Sequence, residues 1–387
     1  MSSWTTPIAA HHCIRHQKAG IGGLTTSANR RKQGQGPNQK DISYYCQQAN
    51  IDVIVLAVVD LFPAQANGYI GTNFGNQCSA DVYPGPGFNG VKDPRKDSLQ
   101  SSCPRLVSQL PDCQARFGKK ILLSLGGGSR GYAVTGVDQG NALAAQLWGM
   151  FGPRTSAWMK QGLPRPLDDP ITGAAFEVDG FDLDIEGPAP SGDPTAQGYA
   201  ALVTRLASLF KLTPNRKRYL SAAPECPVGP AAPGNLPGPS APMAAMLRAT
   251  AFDMVFVQFY NTAACSAAAW WAANEGYYVP GTNTPRTAGF TFDGWTAWLK
   301  GTASAGARVY MGLPAAPAAA AVSAMYVGNV GVQALVNAHY CRAGLGGLVL
   351  WEATYADLNK ELGMPFWTIA KASLTRAGRD SRVQTCV

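Results

Sequence analysis

The chain has 387 residues, of which 46% are hydrophobic and 14% charged. This composition is typical of a folded globular protein and excludes an intrinsically disordered one. The formal net charge is +8 at pH 7, but the basic residues are scattered apart from Arg30–Lys32, and no nucleic-acid motif accompanies them. No apolar run approaches the ~20 residues of a membrane-spanning helix. We therefore expect no nucleic-acid partner and no membrane span.

The nine cysteines form no CxxC pair and no cysteine–histidine cluster with zinc-binding spacing. Dispersed cysteines indicate disulfides and hence an extracellular, oxidising environment, and the odd count leaves one thiol unpaired or paired between chains. The N-terminal segment points the other way. Residues 1–40 are rich in basic side chains and histidines, and no signal peptide with a continuous apolar core is visible.

Predicted strands and helices alternate along most of the chain, as a parallel α/β architecture requires. The predicted strands are Asp52–Val59, Lys120–Gly126, Gly180–Glu186, Arg218–Ala223, Asp253–Tyr260, Ala307–Leu313 and Gly346–Trp351. The predicted helices are Pro104–Phe117, Gly140–Met150, Gln197–Leu212, Ala241–Ala251, Phe292–Ser304, Gly331–Arg342 and Pro365–Leu374. With an eighth strand expected before Asp52, a closed (β/α)8 TIM barrel explains this order better than an open sheet.

The domain organisation is predicted to be a single barrel over residues 34–374, with an atypical segment at 1–33 and a C-terminal tail at 375–387. No composition shift marks a second domain, and the short interval Pro314–Gly347 leaves no room for an inserted domain between the last two strands. The Pro/Gly/Ala-rich stretches Val228–Ala245 and Ala315–Ala321 are either loops of the active face or plain surface loops.

The segment Asp179–Glu186 reads Asp-Gly-Phe-Asp-Leu-Asp-Ile-Glu. Side chains alternate along a strand, so Asp182, Asp184 and Glu186 are predicted to point together into the barrel. Three neighbouring carboxyls cannot all ionise easily, so protons are shared along the row. An exposed strand end is disfavoured because the intervening residues are strongly apolar. A Mg²⁺ or Ca²⁺ site is disfavoured because no other oxygen ligands cluster with the acids, so no metal is expected.

This segment resembles the DGxDxDxE signature of family 18 glycoside hydrolases. Further family motifs occur in the expected order at Ser124–Gly127, Ser221–Pro224, Val257–Asn261, Gly312–Pro317 and Leu350–Glu352. Together they resemble the plant class III and fungal plant-type endochitinases, from about Gly34 to about Leu374. The resemblance implies a secreted, monomeric glycoside hydrolase that acts on chitin or chito-oligosaccharides and needs no cofactor.

The resemblance also implies a retaining mechanism in which the substrate's N-acetyl oxygen is the nucleophile. Glu186 would protonate the glycosidic oxygen, and Asp184 would stabilise the charge that develops on the acetamido nitrogen. Asp182 would act behind Asp184 as a proton partner. The Tyr260 hydroxyl would hold the acetamido group in line for attack.

The remaining candidates are predicted to contact substrate and each has a structural alternative. Trp351 would form an apolar floor under the sugar, or simply fill the core. Gln258 would contact substrate or satisfy a buried amide. The other predicted substrate contacts are Asn261, Gly126 and Gly127. Trp148 is interpreted as a packing residue and His339 as a structural one. Trp270 and Trp271 are interpreted as either sugar platforms or packing residues. Glu225 is an extra acid near the groove.

Three disulfides are implied by the resemblance, namely Cys46–Cys113, Cys78–Cys103 and Cys226–Cys265. No partner is evident for the other cysteines, Cys13, Cys341 and Cys386. Two alternative functions remain at this stage. One is an endo-β-N-acetylglucosaminidase or lysozyme activity with the same chemistry, and the other is a catalytically weak lectin-like or inhibitor-like relative.

The resemblance stops at the N-terminus, which leaves the first strand in doubt. Gly34–Asn38 matches the family, but Lys32 and Gln33 stand where relatives carry two aromatic residues. Ser27–Lys32 has no apolar face, so it is a poor barrel strand. Residues 1–33 are therefore interpreted as a misassigned start. The alternative is a divergent strand around Ile21–Thr26 that still closes the barrel.

Overall fold

The computed structural model describes residues 39–84, 90–128, 131–186, 194–228 and 239–384, together with the backbone of a strand at Ala19–Leu24. The strands are β1 (Ala19–Leu24), β2 (Val53–Leu61), β3 (Gly71–Thr72), β4 (Lys120–Gly126), β5 (Gly180–Asp184), β6 (Tyr219–Ala222), β7 (Met254–Gln258), β8 (Arg308–Pro314), β9 (Leu345–Trp351), β10 (Lys360–Glu361) and β11 (Met364–Pro365). The helices are α1 (Ile42–Cys46), α2 (Pro104–Ala115), α3 (Gly136–Phe151), α4 (Ser156–Lys160), α5 (Pro194–Phe210), α6 (Ala241–Ala249), α7 (Ala267–Asn274), α8 (Phe292–Leu299), α9 (Asn329–His339), α10 (Ala353–Leu358), α11 (Phe366–Ala377) and α12 (Ser381–Gln384).

Eight parallel strands close into a barrel in the order β1, β9, β8, β7, β6, β5, β4, β2, with β2 paired back to β1. The short β3 pairs antiparallel with β2 outside this ring. Helices follow most of the strands and cover the outside. The fold is therefore the single-domain TIM barrel that the sequence predicts, and the segment between β8 and β9 carries α9 instead of an inserted domain.

The first strand lies at Ala19–Leu24, close to the alternative position considered from the sequence. Its Ile21 is in register with Val53 of β2 and with Val349 of β9, both in parallel pairings. The Gly34–Asn38 motif lies outside the described residues. At the other end of the chain, α11 continues to Ala377 and α12 follows it.

Two apolar layers surround the strands. Inside the barrel, six buried side chains pack together, and they come from the first halves or middles of their strands: Val53, Val55, Leu122, Met254, Phe256 and Tyr310. Outside, alternate strand residues pack against helices; the Phe181 ring stacks on Phe210 of α5 with centroids 6.3 Å apart. The interior cluster fills the barrel toward its amino end, and the acid row of β5 lies beyond it toward the carboxyl end.

The three described disulfides are Cys46–Cys113, Cys78–Cys103 and Cys226–Cys265, the pairs that the resemblance implies. Cys341, for which the sequence offered no partner, is disulfide-bonded as well. Of the helices described here, none is both long and apolar enough to cross a membrane.

Candidate active site

The row of acids lies at the carboxyl end of β5. Asp182 and Asp184 point into the barrel and are 2% and 7% exposed, opposite Ser124 and Gly126 of β4 in register. Glu186 is half-buried. The predicted strand ran to Glu186, but the ladder ends at Asp184, so the last acid stands two residues beyond the strand. All three carboxyls still face one site, because the alternation of side chains continues.

Asp182 is the deepest of the three acids and has two hydroxyl partners. Ser124 Oγ donates to its carboxylate at 2.8 Å, and Ser221 Oγ donates at 2.6 Å. Burial nevertheless raises the pKa of Asp182 to about 6, since loss of solvation outweighs the two hydrogen bonds. The two serines belong to the motifs on β4 and β6, so both neighbouring strands hold this acid.

Asp184 and Glu186 form a coupled pair. Burial raises the pKa of Asp184 well above its usual range, and the charge of Glu186, the charge of Asp182 and a hydrogen bond with Glu186 raise it further. Gln258 of β7 bridges the pair, since its Nε2 lies 3.0 Å from Asp184 Oδ1 and 3.1 Å from Glu186 Oε1. A proton shared between the two carboxyls belongs to the pair and not to either residue.

Two glycines allow β4 to pass close to Asp184. A Cβ at Gly126 (φ +104°) would lie 2.2 Å from the Asp184 carbonyl oxygen. Gly127 (φ +82°) donates its N–H to that oxygen at 2.7 Å, and a Cβ there would lie 3.8 Å from Asp184 Oδ2. The structure therefore places both glycines against the acids. A side chain at Gly126 would displace the Asp184 backbone.

Two small cavities open beside the acids, and Gln258, Tyr260 and Trp351 line both of them. The first, of about 60 Å³, contains Asp182 and Asp184. The second, of about 50 Å³, contains Glu186 and Asn261 and is walled by the alanines at 318–321. Burial and the nearby charges of Asp184 and Glu186 raise the pKa of Tyr260 well above its usual range, so its hydroxyl stays protonated and is a hydrogen-bond donor.

Asn261, a predicted substrate contact, also makes a structural hydrogen bond. It adopts a left-handed conformation with φ of 63°, and its Oδ1 accepts a hydrogen bond from the Ala321 N–H at 2.9 Å. The side chain thus ties the end of β7 to the alanine-rich loop after β8. Its oxygen is engaged by the protein, and the residue also lines the second cavity.

Several side chains weighed from the sequence lie away from the acids. Trp270 is 1% exposed and packs in the outer core, and Trp271 lies against Gly331 of α9; both are packing residues. His339 is buried among aromatic rings, its Nδ1 lies 2.8 Å from the Leu335 carbonyl oxygen, and burial lowers its pKa to about 4. Glu225 is exposed, but its charge contributes to the raised pKa of Asp184.

Sequence reasoning missed Tyr132. Its hydroxyl lies 3.0 Å from the Gly127 carbonyl oxygen and accepts a hydrogen bond from the Glu186 N–H at 3.1 Å. The residue follows the Ser124–Gly127 motif in a loop, and neither periodicity nor a motif marked it. Its position a few residues after a motif at the end of a barrel strand was the one available signal.

No group of three or more potential metal ligands occurs within the described ranges. The acids instead have hydroxyl and amide partners from the protein. This arrangement provides a carboxyl pair in which the pKa of Asp184 is raised, a phenol donor and an apolar indole wall around two small cavities. It suits proton transfer to a neutral, partly apolar ligand.

Comparison with known proteins places the chain in a family. The model of the glycosyl hydrolases family 18 matches residues 26–329, and the chain belongs to this family. Endochitinase A1 of Aspergillus fumigatus is 36% identical over 337 residues, which are 86% of this chain and 35% of that protein. The chain thus spans about a third of the length of this fungal relative.

Solved structures share the fold at lower identity. The chitinase ICChI from Ipomoea carnea matches with a TM-score of 0.61 and 21% identity, over 92% of this chain and 99% of that one. The xylanase and α-amylase inhibitor protein XAIP-II from Scadoxus multiflorus matches with a TM-score of 0.60 and 19% identity, over 92% and 98% of the two chains. One of these proteins is named as an enzyme and the other as an inhibitor, so the shared fold alone does not determine the function.

Proposed function

We propose that the protein is an endo-acting chitinase that cleaves β-1,4-linked N-acetylglucosamine chains with retention of configuration. The observation that carries the proposal is the coupled pair Asp184–Glu186, which Gln258 bridges beside a cavity lined by Tyr260 and Trp351. The raised pKa of Asp184 favours retention of a proton on this pair, as a general acid requires.

In the proposed first step, the glycosidic oxygen takes the proton of Glu186 while the acetamido oxygen of the same sugar attacks the anomeric carbon. The bond from the anomeric carbon to the leaving oxygen breaks, which releases the leaving chain and forms an oxazolinium ion. Asp184 stabilises the positive charge on the acetamido nitrogen. The Tyr260 hydroxyl donates to the acetamido oxygen and so orients it for attack. The cavity of about 60 Å³ beside both residues has room for a group of this size.

In the second step, the Glu186 carboxylate removes a proton from water, which attacks the anomeric carbon and opens the oxazolinium ring. Two inversions at one carbon restore the β configuration. Asp182 takes part as the buried proton partner of Asp184, because burial already favours its protonated form. The chain uses no cofactor in this scheme.

The substrate is assigned as chitin or chito-oligosaccharides outside the cell, with the protein acting as a monomer. The neutral acetamido sugar fits a site whose carboxyls share protons, and the disulfides fit an oxidising compartment. With no domain inserted between β8 and β9, the groove is open at its ends, which favours cleavage within a chain. An N-glycan or peptidoglycan substrate is the competing assignment, and product analysis on these polymers distinguishes them.

Glu186→Gln should abolish turnover of a chromogenic chito-oligomer, because the amide cannot supply the proton. General acid catalysis contributes roughly 10²–10⁴-fold, so we expect a loss of that order in kcat, with the oligomer still bound. Glu275→Gln is the matched control, since Glu275 is exposed and lines neither cavity. Near-normal turnover by Glu186→Gln would refute the assignment of the acid. Initial release of an α-anomer by the parent, seen by NMR, would refute retention.

A further inference from the structure

The described ladder of β5 ends at Asp184, two residues before Glu186. The last register pair between β4 and β5 is Gly126 with Asp184, and Gly127 donates its N–H to the Asp184 carbonyl oxygen just beyond it. On the other side, the ladder to β6 ends with the Ala223 N–H donating to the Leu183 carbonyl oxygen at 3.0 Å. Glu186 therefore lies just past the described pairings of β5 with both of its neighbours.

The Tyr132 hydroxyl lies beside the backbone of Glu186, just beyond the end of this ladder. It accepts a hydrogen bond from the Glu186 N–H at 3.1 Å. Its single hydrogen points to the Gly127 carbonyl oxygen at 3.0 Å and the Asp184 carbonyl oxygen at 3.3 Å. One phenol thus joins the end of β4 to the backbone on both sides of Ile185.

The Tyr132 ring is fixed by the protein and not by substrate. The residue is 9% exposed, and its ring packs against Phe62 with centroids 5.2 Å apart. It lines neither of the two cavities beside the acids. The hydroxyl is also kept protonated, because burial and the charge of Asp184 raise its pKa far above the usual range.

We propose that Tyr132 is a positioning residue for the general acid, whose hydroxyl fixes the Glu186 backbone so that the carboxyl stays between Asp184 and Gln258. This inference rests on the proposed function, in which Glu186 supplies the proton. The Gln258 side chain is fixed by a hydrogen bond to the Ala223 carbonyl oxygen at 3.0 Å. It can therefore bridge Asp184 and Glu186 only when the backbone of Glu186 holds its carboxyl at the right place. Without the phenol, the carboxyl would move away from Asp184 and from the glycosidic oxygen.

The test compares Tyr132→Phe with Tyr199→Phe. Tyr199 of α5 is 2% exposed and packs against the same Phe62 at 6.3 Å, but it has no hydrogen bond to the acids among the described residues. Both variants lose one hydroxyl from a buried ring. Chito-oligomer turnover is measured well below the lower of the two melting temperatures, so that both variants are folded.

For Tyr132→Phe we expect kcat to fall about tenfold, the size of one hydrogen bond that acts on transition-state geometry, with KM within about twofold of the parent value. The alkaline limb of the kcat profile should move to lower pH, because separated carboxyls hold their shared proton less tightly. Tyr199→Phe should leave kcat and the profile unchanged.

Equal losses in the two variants, an unchanged kcat for Tyr132→Phe, or a raised KM with unchanged kcat would each overturn the positioning role. A lowered kcat with an unmoved alkaline limb would overturn it too, since the carboxyl pair would then be intact. An inactive parent would overturn the proposed function and this inference with it. An active parent with a normal Tyr132→Phe variant would overturn the inference alone.

Discussion

At the scale of single residues, the acid row works against the stability of the fold. Asp182 has a folded-state pKa of about 6 although Ser124 and Ser221 both donate to it. A carboxyl whose pKa is higher in the folded than in the unfolded state contributes stability below its unfolded pKa, and this contribution is lost as the pH rises through the folded value. Asp182 is therefore least favourable to folding near neutral pH, where its carboxyl is mostly ionised.

Asp182→Asn should remove this dependence on pH. The amide has nearly the same shape, and its NH₂ can donate to a serine hydroxyl. We expect the variant to exceed the parent in free energy of unfolding at pH 7 by up to about 3 kcal/mol, the value of about two pKa units, and to match it near pH 3.5. Denaturant unfolding at both pH values checks this, with the exposed Asp112→Asn as control. A difference between variant and parent that is the same at both pH values would contradict it.

At the scale of elements, the carboxyl ends of β4 and β5 are joined so closely that only glycine fits between them. Gly126→Ala should lower both stability and turnover, since its Cβ would meet the Asp184 carbonyl oxygen at 2.2 Å and displace the acid. Gly118→Ala shares the positive φ (+64°) but has open space around the new Cβ. It should therefore show only backbone strain, roughly 1–2 kcal/mol. If thermal unfolding and kcat change equally in the two variants, the close contact is unimportant.

Two of the disulfides join segments at different distances from the acids. Cys226–Cys265 joins the chain after β6 to the chain after β7, next to Tyr260, whereas Cys46–Cys113 joins α1 to α2 on the outside of the barrel. Double serine variants of either pair should lose about 2–4 kcal/mol of stability. Turnover measured below both melting temperatures should fall only when Cys226–Cys265 is removed. Comparable kcat in the two double variants would exclude a role of this bridge in the site.

Most elements could be predicted from the sequence because their residues have a single environment. Lys120–Gly126 has the predicted bounds, since one face is uniformly apolar and the strand is buried on both sides. β5 ends at Asp184 and not at the predicted Glu186, because the length of a strand depends on its partner. The last pair that β5 forms with β4 is Asp184 with Gly126. Tyr132 and the bridging role of Gln258 were not predictable, because both depend on which loop atoms meet across strands far apart in sequence.

At the scale of the whole molecule, the two ends of the barrel carry different groups: the acid row lies at the carboxyl end and ion pairs lie at the amino end. A cavity of about 780 Å³ lies at the amino ends of β4 to β6, opposite the acids. Arginines line it, but each is already paired: Arg154 and Arg165 with Asp168, and Arg216 with Glu177 and Asp179. We interpret this end as an ion-pair network that joins loops and stabilises the fold.

Closure of the barrel depends on β1, the strand that the sequence left in doubt. Ile21→Pro should disrupt the molecule widely, because β1 pairs on both sides and proline cannot donate to a ladder. Ile21→Val keeps the backbone donor and should behave like the parent. Cooperative thermal unfolding and binding of a hydrophobic dye report the difference. If Ile21→Pro is as stable as the parent, Ala19–Leu24 does not close the barrel, and the interpretation of residues 1–33 as a misassigned start regains support.

The shared protons of the acid row have an evolutionary consequence. Each buried carboxyl that is replaced by a neutral side chain removes a repulsive charge, so mutations that end turnover tend to improve folding. Such mutations leave the barrel, its glycines and its indole wall in place, together with the two cavities beside the acids. In this architecture, mutations that remove the acids are therefore expected to raise the free energy of unfolding. On the proposed function, selection for turnover is what keeps Asp182, Asp184 and Glu186 together.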